Sequence, residues 1–216
     1  MKGLLIKDFL STKYILLSVI GFFVFFTAVL FPSEFYLIEP LSETEVADAV
    51  LTTSLVCATI SFIALFSQDS FKWNFFLLTT PISRTVTALS KYVFALIVIM
   101  IFSLVLLPSI SSICISYYIR TSLVAELTLT FILLAIIIVS ITFPAIFLFS
   151  KPETHLYTRS LYLHASVYFC LWIFNDYSRV MEYITSNLFT TVPLIAITMF
   201  TVSILFSIRV MRKKYL

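Results

Sequence analysis

The sequence predicts an all-α integral membrane protein with six membrane-spanning helices. Of the 216 residues, 61% are hydrophobic and only 12% are charged, whereas about a quarter of the residues of a soluble protein are charged. The mean hydropathy is +1.08. Six apolar runs divide the chain, and most are long enough to cross a bilayer as a helix. These observations exclude a soluble globule and a disordered or fibrous chain.

Short polar stretches separate the predicted spans. The third apolar run continues towards Ile119 and contains Pro108, which we expect to kink the helix or to end its spanning part. The fifth run is short, and we extend it back past Arg159, because a long arginine side chain can reach the membrane interface. We therefore predict a single transmembrane domain over residues 1–216, with spans at about 14–31, 49–66, 92–112, 127–149, 157–174 and 188–208.

The segment before the first span is predicted to be an amphipathic elbow helix on the membrane surface. Leu4, Leu5 and Phe9 lie near one helical face, and the charged residues of this segment lie largely elsewhere. A frayed basic tail is the alternative. Near the other end of the chain, Ser203 and Ser207 form one of several pairs of small residues spaced by four. Such pairs allow close approach of helices, although they also arise by chance.

The basic residues predict the orientation of the chain. Twelve of the 14 lysines and arginines fall on one side of the predicted membrane, and segments rich in these residues stay in the cytoplasm. Arg120 and Arg179 lie on the other side, together with most of the acidic residues. Both termini are therefore predicted to be cytoplasmic, in a multi-pass protein of the bacterial cell membrane.

The predicted spans lack the residues that catalysis or ion transport requires. Gly3 and Gly21 are the two glycines of the chain, too few for a phosphate-binding loop. The six apolar runs contain no Asp, Glu, Lys or Arg, which argues against an ion-coupled carrier. The position of His164 fits an interfacial or helix-packing role better than a proton or substrate contact. We predict a non-catalytic subunit that holds no cofactor or metal, does not bind nucleic acid and takes its energy from a partner.

The loop after the second predicted span is the most informative part of the sequence. Aromatic and polar residues are mixed around Trp73, which is typical of a short helix lying in the membrane interface. Pro81 would end this helix, because proline cannot continue one. An interfacial segment that only returns the chain to the membrane is the simpler interpretation.

This loop resembles that of the small six-span permeases of ABC-2 type transporters. The positions that carry the resemblance are Asp69, Trp73, the turn Pro81-Ile82-Ser83-Arg84 and the sequence Ser90-Lys91-Tyr92. Residues 1–9 are also similar to the amphipathic start of that family, and length, span count and orientation agree along the whole chain. The chain departs from the family pattern at Ser150, where a glycine is common.

The resemblance implies that the loop forms a coupling helix that docks on a separate ATP-binding subunit. Polar residues of the helix would contact this partner, and aromatic residues would be buried anchors, as aromatic residues often are at interfaces. The implied coupling interface comprises Asp69, Phe71, Lys72, Trp73, Asn74 and Phe75, and the implied turn and membrane-anchoring residues are Pro81, Arg84 and Lys91, the last two holding phospholipid headgroups.

The resemblance also implies an exporter with two ATP-binding subunits, which carry the ATP and magnesium, and a second copy of the permease or a sister permease. Aromatic spans without charges favour an apolar or amphipathic substrate, such as a peptide. A different class stays open: a membrane sensor or immunity protein that binds a peptide or a partner membrane protein and transports nothing.

Overall fold

A computed structural model describes residues 2–25, 83–116, 122–149 and 186–213, and these segments are almost entirely helical. They contain no strand. The helices are α1 (Lys2–Phe25), α2 (Arg84–Ser116), α3 (Ser122–Phe149) and α4 (Thr191–Lys213).

Three of these helices are long and apolar enough to cross a membrane, over Thr85–Pro108, Ser122–Pro144 and Thr191–Arg212. They overlap the third, fourth and sixth predicted spans. For the described residues, the all-helical, polytopic character that the sequence predicts is therefore confirmed. The second and fifth predicted spans, 49–66 and 157–174, lie outside the described residues.

The first helix differs from the predicted surface elbow. α1 runs from Lys2 to Phe25 without interruption, so the described helix has no break between the predicted elbow and the predicted first span. Asp8 is buried on the same face as Leu4, whereas Phe9 is 46% exposed. The face that α1 buries is defined by residues at intervals of four, and these are Leu4, Asp8, Thr12 and Leu16.

Two prolines lie within helices rather than at their ends. α2 continues past Pro108 to Ser116, and α3 continues past Pro144 to Phe149. A proline removes one backbone hydrogen bond of a helix. We expected Pro108 to kink the helix or to end its spanning part; the candidate span ends at Pro108, but the helix does not.

α2, α3 and α4 pack against one another, and α1 packs on α2. The most extensive contact is between α3 and α4. α4 is nevertheless the most peripheral of the three, since only 22% of its spanning window is buried, compared with 56% for α2. The largest fully buried side chains are Tyr92, Ile99, Phe102, Leu106, Phe131, Phe143 and Leu188.

Several hydroxyl groups inside the helices bond to their own backbone. Each donates to the carbonyl oxygen four residues earlier at 2.7 or 2.8 Å. A hydroxyl without a partner is costly in hydrocarbon, and this local bond satisfies it without a second helix. Clear examples are Ser103, Thr128 and Ser140.

Candidate functional site

The candidate site is the beginning of α2, the first part of the structure that follows the predicted coupling segment. Ser83 caps the helix: its side-chain oxygen accepts a hydrogen bond from the Val86 N–H at 3.3 Å, and its carbonyl accepts from the Thr87 N–H at 3.2 Å. The helix begins at Arg84, eight residues before the predicted span. Whatever precedes Ser83 is therefore joined directly to a long helix.

Lys91 forms a buried ion pair with Asp8 of α1. The Lys91 Nζ lies 2.9 Å from the Asp8 Oδ1, and the two side chains are only 5% and 3% exposed. The Lys7 Nζ lies 3.3 Å from the same oxygen and is 19% exposed. One carboxylate thus receives two ammonium groups, and the buried one comes from α2.

Tyr92, the next residue, connects α2 to α4. Its hydroxyl lies 2.6 Å from the Ser203 Oγ and 2.7 Å from the Ser207 Oγ. The tyrosine ring makes edge contacts with Phe143 of α3, at a centroid distance of 5.1 Å, and with Phe200 of α4, at 5.4 Å. Tyr92 and both serines are buried, so these bonds hold helices together inside the packed bundle.

Lys91 and Tyr92 face different neighbours because successive residues of an α-helix point about 100° apart. The cation of Lys91 reaches α1, and the hydroxyl of Tyr92 reaches α4. A longer bond lies closer to the helix start, where the Arg212 Nη2 donates to the Thr85 Oγ1 at 3.5 Å. The start of α1, the start of α2 and the end of α4 are therefore brought together on one side of the bundle.

The predicted site residues fall into two groups. Asp69, Phe71, Lys72, Trp73, Asn74, Phe75 and Pro81 lie outside the described residues, and their coupling and turn roles stay predictions. Arg84 and Lys91 form the second group, which the structure describes. Arg84 is the first residue of α2.

Lys91 differs from the expectation that it would hold a phospholipid headgroup. In the structure its ammonium is buried within the chain and bound to a carboxylate. The physical reason is that Asp8 lies on the buried face of α1 and faces α2. Lys91 therefore contributes to helix packing rather than to a headgroup contact.

Asp8 and the link from Tyr92 to the two serines were not predicted as site residues. A signal for Asp8 exists: it lies four residues after Leu4 and eight before Leu16, in register with an apolar stripe that is buried. The serine pair was recognised as a position for close helix approach. Its hydrogen-bond partner, 111 and 115 residues earlier in the chain, could not be read from the spacing.

The observed spanning helices also carry a few charged residues near their ends. Lys91 lies in the second turn of α2, Glu126 near the start of α3, and Arg209 and Arg212 near the end of α4. The predicted runs excluded these residues because the helices are longer than the runs. The central parts of the three spans remain free of Asp, Glu, Lys and Arg.

These features define a polytopic membrane protein in which buried polar contacts join α2 to α1 and to α4. The sequence profile of the family described as "ABC-2 family transporter protein" matches residues 3–212. The chain belongs to this family, which indicates the permease subunit of an ABC transporter with an ATP-binding partner. No curated protein and no solved structure is significantly similar to the chain.

Removing the Tyr92 hydroxyl should destabilise the bundle without removing the ring. We expect Tyr92→Phe to lower the free energy of unfolding by about 1–2 kcal/mol, because two interhelical hydrogen bonds inside the membrane are lost. The measurement is thermal unfolding of the purified chain in detergent. Tyr14→Phe is the matched control, since Tyr14 is 71% exposed. Equal melting temperatures for the two variants would contradict a stabilising role for the hydroxyl.

Removing the Asp8 carboxylate should lower the free energy of unfolding by more than Tyr92→Phe does. Asp8→Ala takes a buried charged partner from Lys91, and breaking such pairs typically costs about 3–5 kcal/mol. Lys91→Met should be milder, because Lys7 still contacts the carboxylate. Thermal unfolding in the same detergent compares the variants with Lys13→Met, in which the lost ammonium lay over the Tyr14 ring, 4.7 Å from its centroid. A smaller decrease in melting temperature for Asp8→Ala than for Lys13→Met would refute the pairing of Asp8 with Lys91.

Proposed function

We propose that the chain is the permease subunit of an ATP-driven ABC-2 type exporter for an apolar or amphipathic substrate, of which a peptide is one candidate. The observation that carries the proposal is the family match over nearly the whole chain. The three long apolar helices agree with it, because such a subunit must provide a route through hydrocarbon.

The proposed topology has six spans with both termini in the cytoplasm of a cell that we take to be bacterial. The distribution of basic residues is one support. A second is that the start of α1, the start of α2 and the end of α4 meet, through the contacts of Asp8 with Lys91 and of Thr85 with Arg212. Six spans place both termini on one side, and the two predicted spans before α2 place its start on that side too.

The proposed coupling element is the segment 69–84, which leads into α2. The resemblance implies that this segment contacts the ATP-binding subunit. The local structure indicates how a displacement of the segment would act on the spans. Ser83 belongs to this segment and caps α2, so the end of the segment continues directly into the helix. A displacement of the segment would reach the spans through a continuous helix of 33 residues.

The energy source is proposed to lie on a different chain. ATP and Mg²⁺ would bind to two copies of the ATP-binding subunit, and this chain would neither hydrolyse ATP nor hold a cofactor. A second copy of the permease, or a sister permease, would complete the transmembrane part. The substrate class is supported by the uncharged centres of the three described spans, which offer no fixed charge for an ion.

Co-purification of this chain with the ATP-binding subunits of the cell that produces it tests the coupling proposal. We expect a stoichiometric complex with ATPase activity in mild detergent. Trp73→Ala should weaken the complex at least about tenfold, because the loss of one central anchor costs that much or more at an interface. Asp69→Ala should also weaken it, because a polar contact with the partner is lost. The measurement is the amount of ATP-binding subunit recovered per permease.

Trp172→Ala and Asp176→Ala are matched controls, because they delete the same side chains at positions predicted to be at or near the opposite membrane face. They should leave recovery unchanged. A folded permease that recovers no ATPase would favour the sensor or immunity protein instead. Recovery that is indifferent to Trp73 and Asp69 would keep the permease and reject this coupling site.

Labelling of single cysteines tests the topology. In a chain whose three natural cysteines are replaced by serine, an impermeant maleimide should label Ser42→Cys and Ser178→Cys on intact cells. Thr154→Cys should react only after permeabilisation, because it lies in a segment predicted to be cytoplasmic. Labelling of all three after permeabilisation controls for reactivity. The reverse pattern on intact cells would overturn the orientation.

A further inference from the structure

Two neighbouring residues of α2 tie it to two different helices within a single turn. Lys91 binds Asp8 of α1, and Tyr92 binds Ser203 and Ser207 of α4. Ser90, just before them, is also buried and donates to the Thr87 carbonyl at 2.8 Å. The sequence Ser90-Lys91-Tyr92, which resembles the family motif, is thus a buried point of attachment.

The ion pair fixes α1 to α2 in register. Both side chains are at least 95% buried, so water screens the interaction little. Sliding α1 along α2 by one helical turn, about 5.4 Å, would separate a buried cation from this carboxylate. That separation costs far more than sliding an apolar contact, where one packed surface replaces another.

The tyrosine fixes α4 to α2 in the same way. Its hydroxyl lies between Ser203 and Ser207, which are one turn apart on α4, so the helix is held at two levels. We call the contacts of Lys91 with Asp8 and of Tyr92 with the two serines the polar layer. Beyond the polar layer, the buried residues of α2 are mostly apolar, including Ile99, Phe102 and Leu106. Contacts of that kind stabilise packing but do not define the position along a neighbouring helix.

The position of this layer matters for force transmission. Lys91 lies eight residues after Ser83, about 12 Å along the helix. A displacement that enters α2 at its cap would meet the polar layer before it reaches the apolar contacts. If the layer holds, α1 and α4 must follow α2.

We propose that Asp8–Lys91 and Tyr92–Ser203/Ser207 are the two halves of a clamp through which movement of the segment before Ser83 carries α1 and α4 together with α2. The clamp rests on the proposed function, and its five residues act as positioning residues because all of them are buried within the chain. Each half serves one helix: the ion pair serves α1, and the hydroxyl serves α4.

Selective loss of movement tests the clamp in the complex with the ATP-binding subunit. A fluorescent bimane is attached at Leu17→Cys on α1, Leu104→Cys on α2 or Val202→Cys on α4, sites that are each 64% or 65% exposed. The natural cysteines are replaced by serine. The signal is the change in emission when ATP and vanadate are added to the complex in nanodiscs. In the otherwise native chain, all three labels should respond.

Asp8→Asn should abolish the α1 response and spare the α4 response, whereas Tyr92→Phe should do the opposite. The expected loss is at least about fivefold, the lower end of the coupling between linked sites. The charge swap Asp8→Lys with Lys91→Asp should restore the α1 response, which a purely destabilising effect of Asp8→Asn would not predict. Full α1 and α4 responses in both single variants would overturn the clamp.

Failure of the proposed function gives a different pattern from failure of the clamp. If no ATP-binding subunit joins the complex, or the α2 label of the native chain does not respond to nucleotide, the function is wrong. The clamp is then tested in the isolated chain, by the spin-label distance between Leu17→Cys and Val202→Cys in nanodiscs. A distribution that broadens in Asp8→Asn with Tyr92→Phe supports the clamp, and an unchanged distribution overturns it.

Discussion

In a bilayer, an apolar helix gains little by leaving lipid for another apolar helix, because the lipid tails are as apolar as leucine. Close packing and polar contacts between helices therefore decide which helices stay together, and the polar contacts favour one register. In the described part of this chain such contacts gather around Lys91 and Tyr92, where an ion pair reaches α1 and a hydroxyl reaches α4. The positions of α1 and α4 along α2 depend on these polar contacts, and the Tyr92 ring adds aromatic contacts with Phe143 and Phe200.

The spanning helices could be predicted from the sequence, because a long apolar run in lipid must satisfy its backbone internally and so becomes a helix. Their ends were predicted less well, since hydropathy marks where charge begins, not where the helix begins. α2 starts eight residues before its predicted span because Ser83 supplies a cap and Lys91 finds a buried partner. Asp8 is 83 residues away from that partner, a distance over which periodicity carries no information about pairing.

The same layer changes the interpretation of the Ser-Lys-Tyr sequence. A lysine close to a predicted membrane boundary is ordinarily expected to contact phospholipid headgroups, and position alone favours that expectation for Lys91. In the structure, Lys91 is buried against Asp8 and helps to join α2 to α1. The charges of the described spans lie near the helix ends, and the centres are uncharged. This separation agrees with the proposed function, in which the driving force enters at one membrane face and the substrate meets an apolar interior.

The location of the polar layer also bears on how α2 could work as a lever. The helix has 33 residues, about 50 Å, and the layer lies in its first third. In the proposed clamp, movement at the cap would be transmitted sideways to α1 and α4 before it reached the apolar contacts of α2. Beyond the layer, Pro108 removes a backbone hydrogen bond and lowers the cost of bending. A helix that is held firmly near one end and bends more easily towards the other can move its neighbours as a unit at the driven face while the far end adjusts separately.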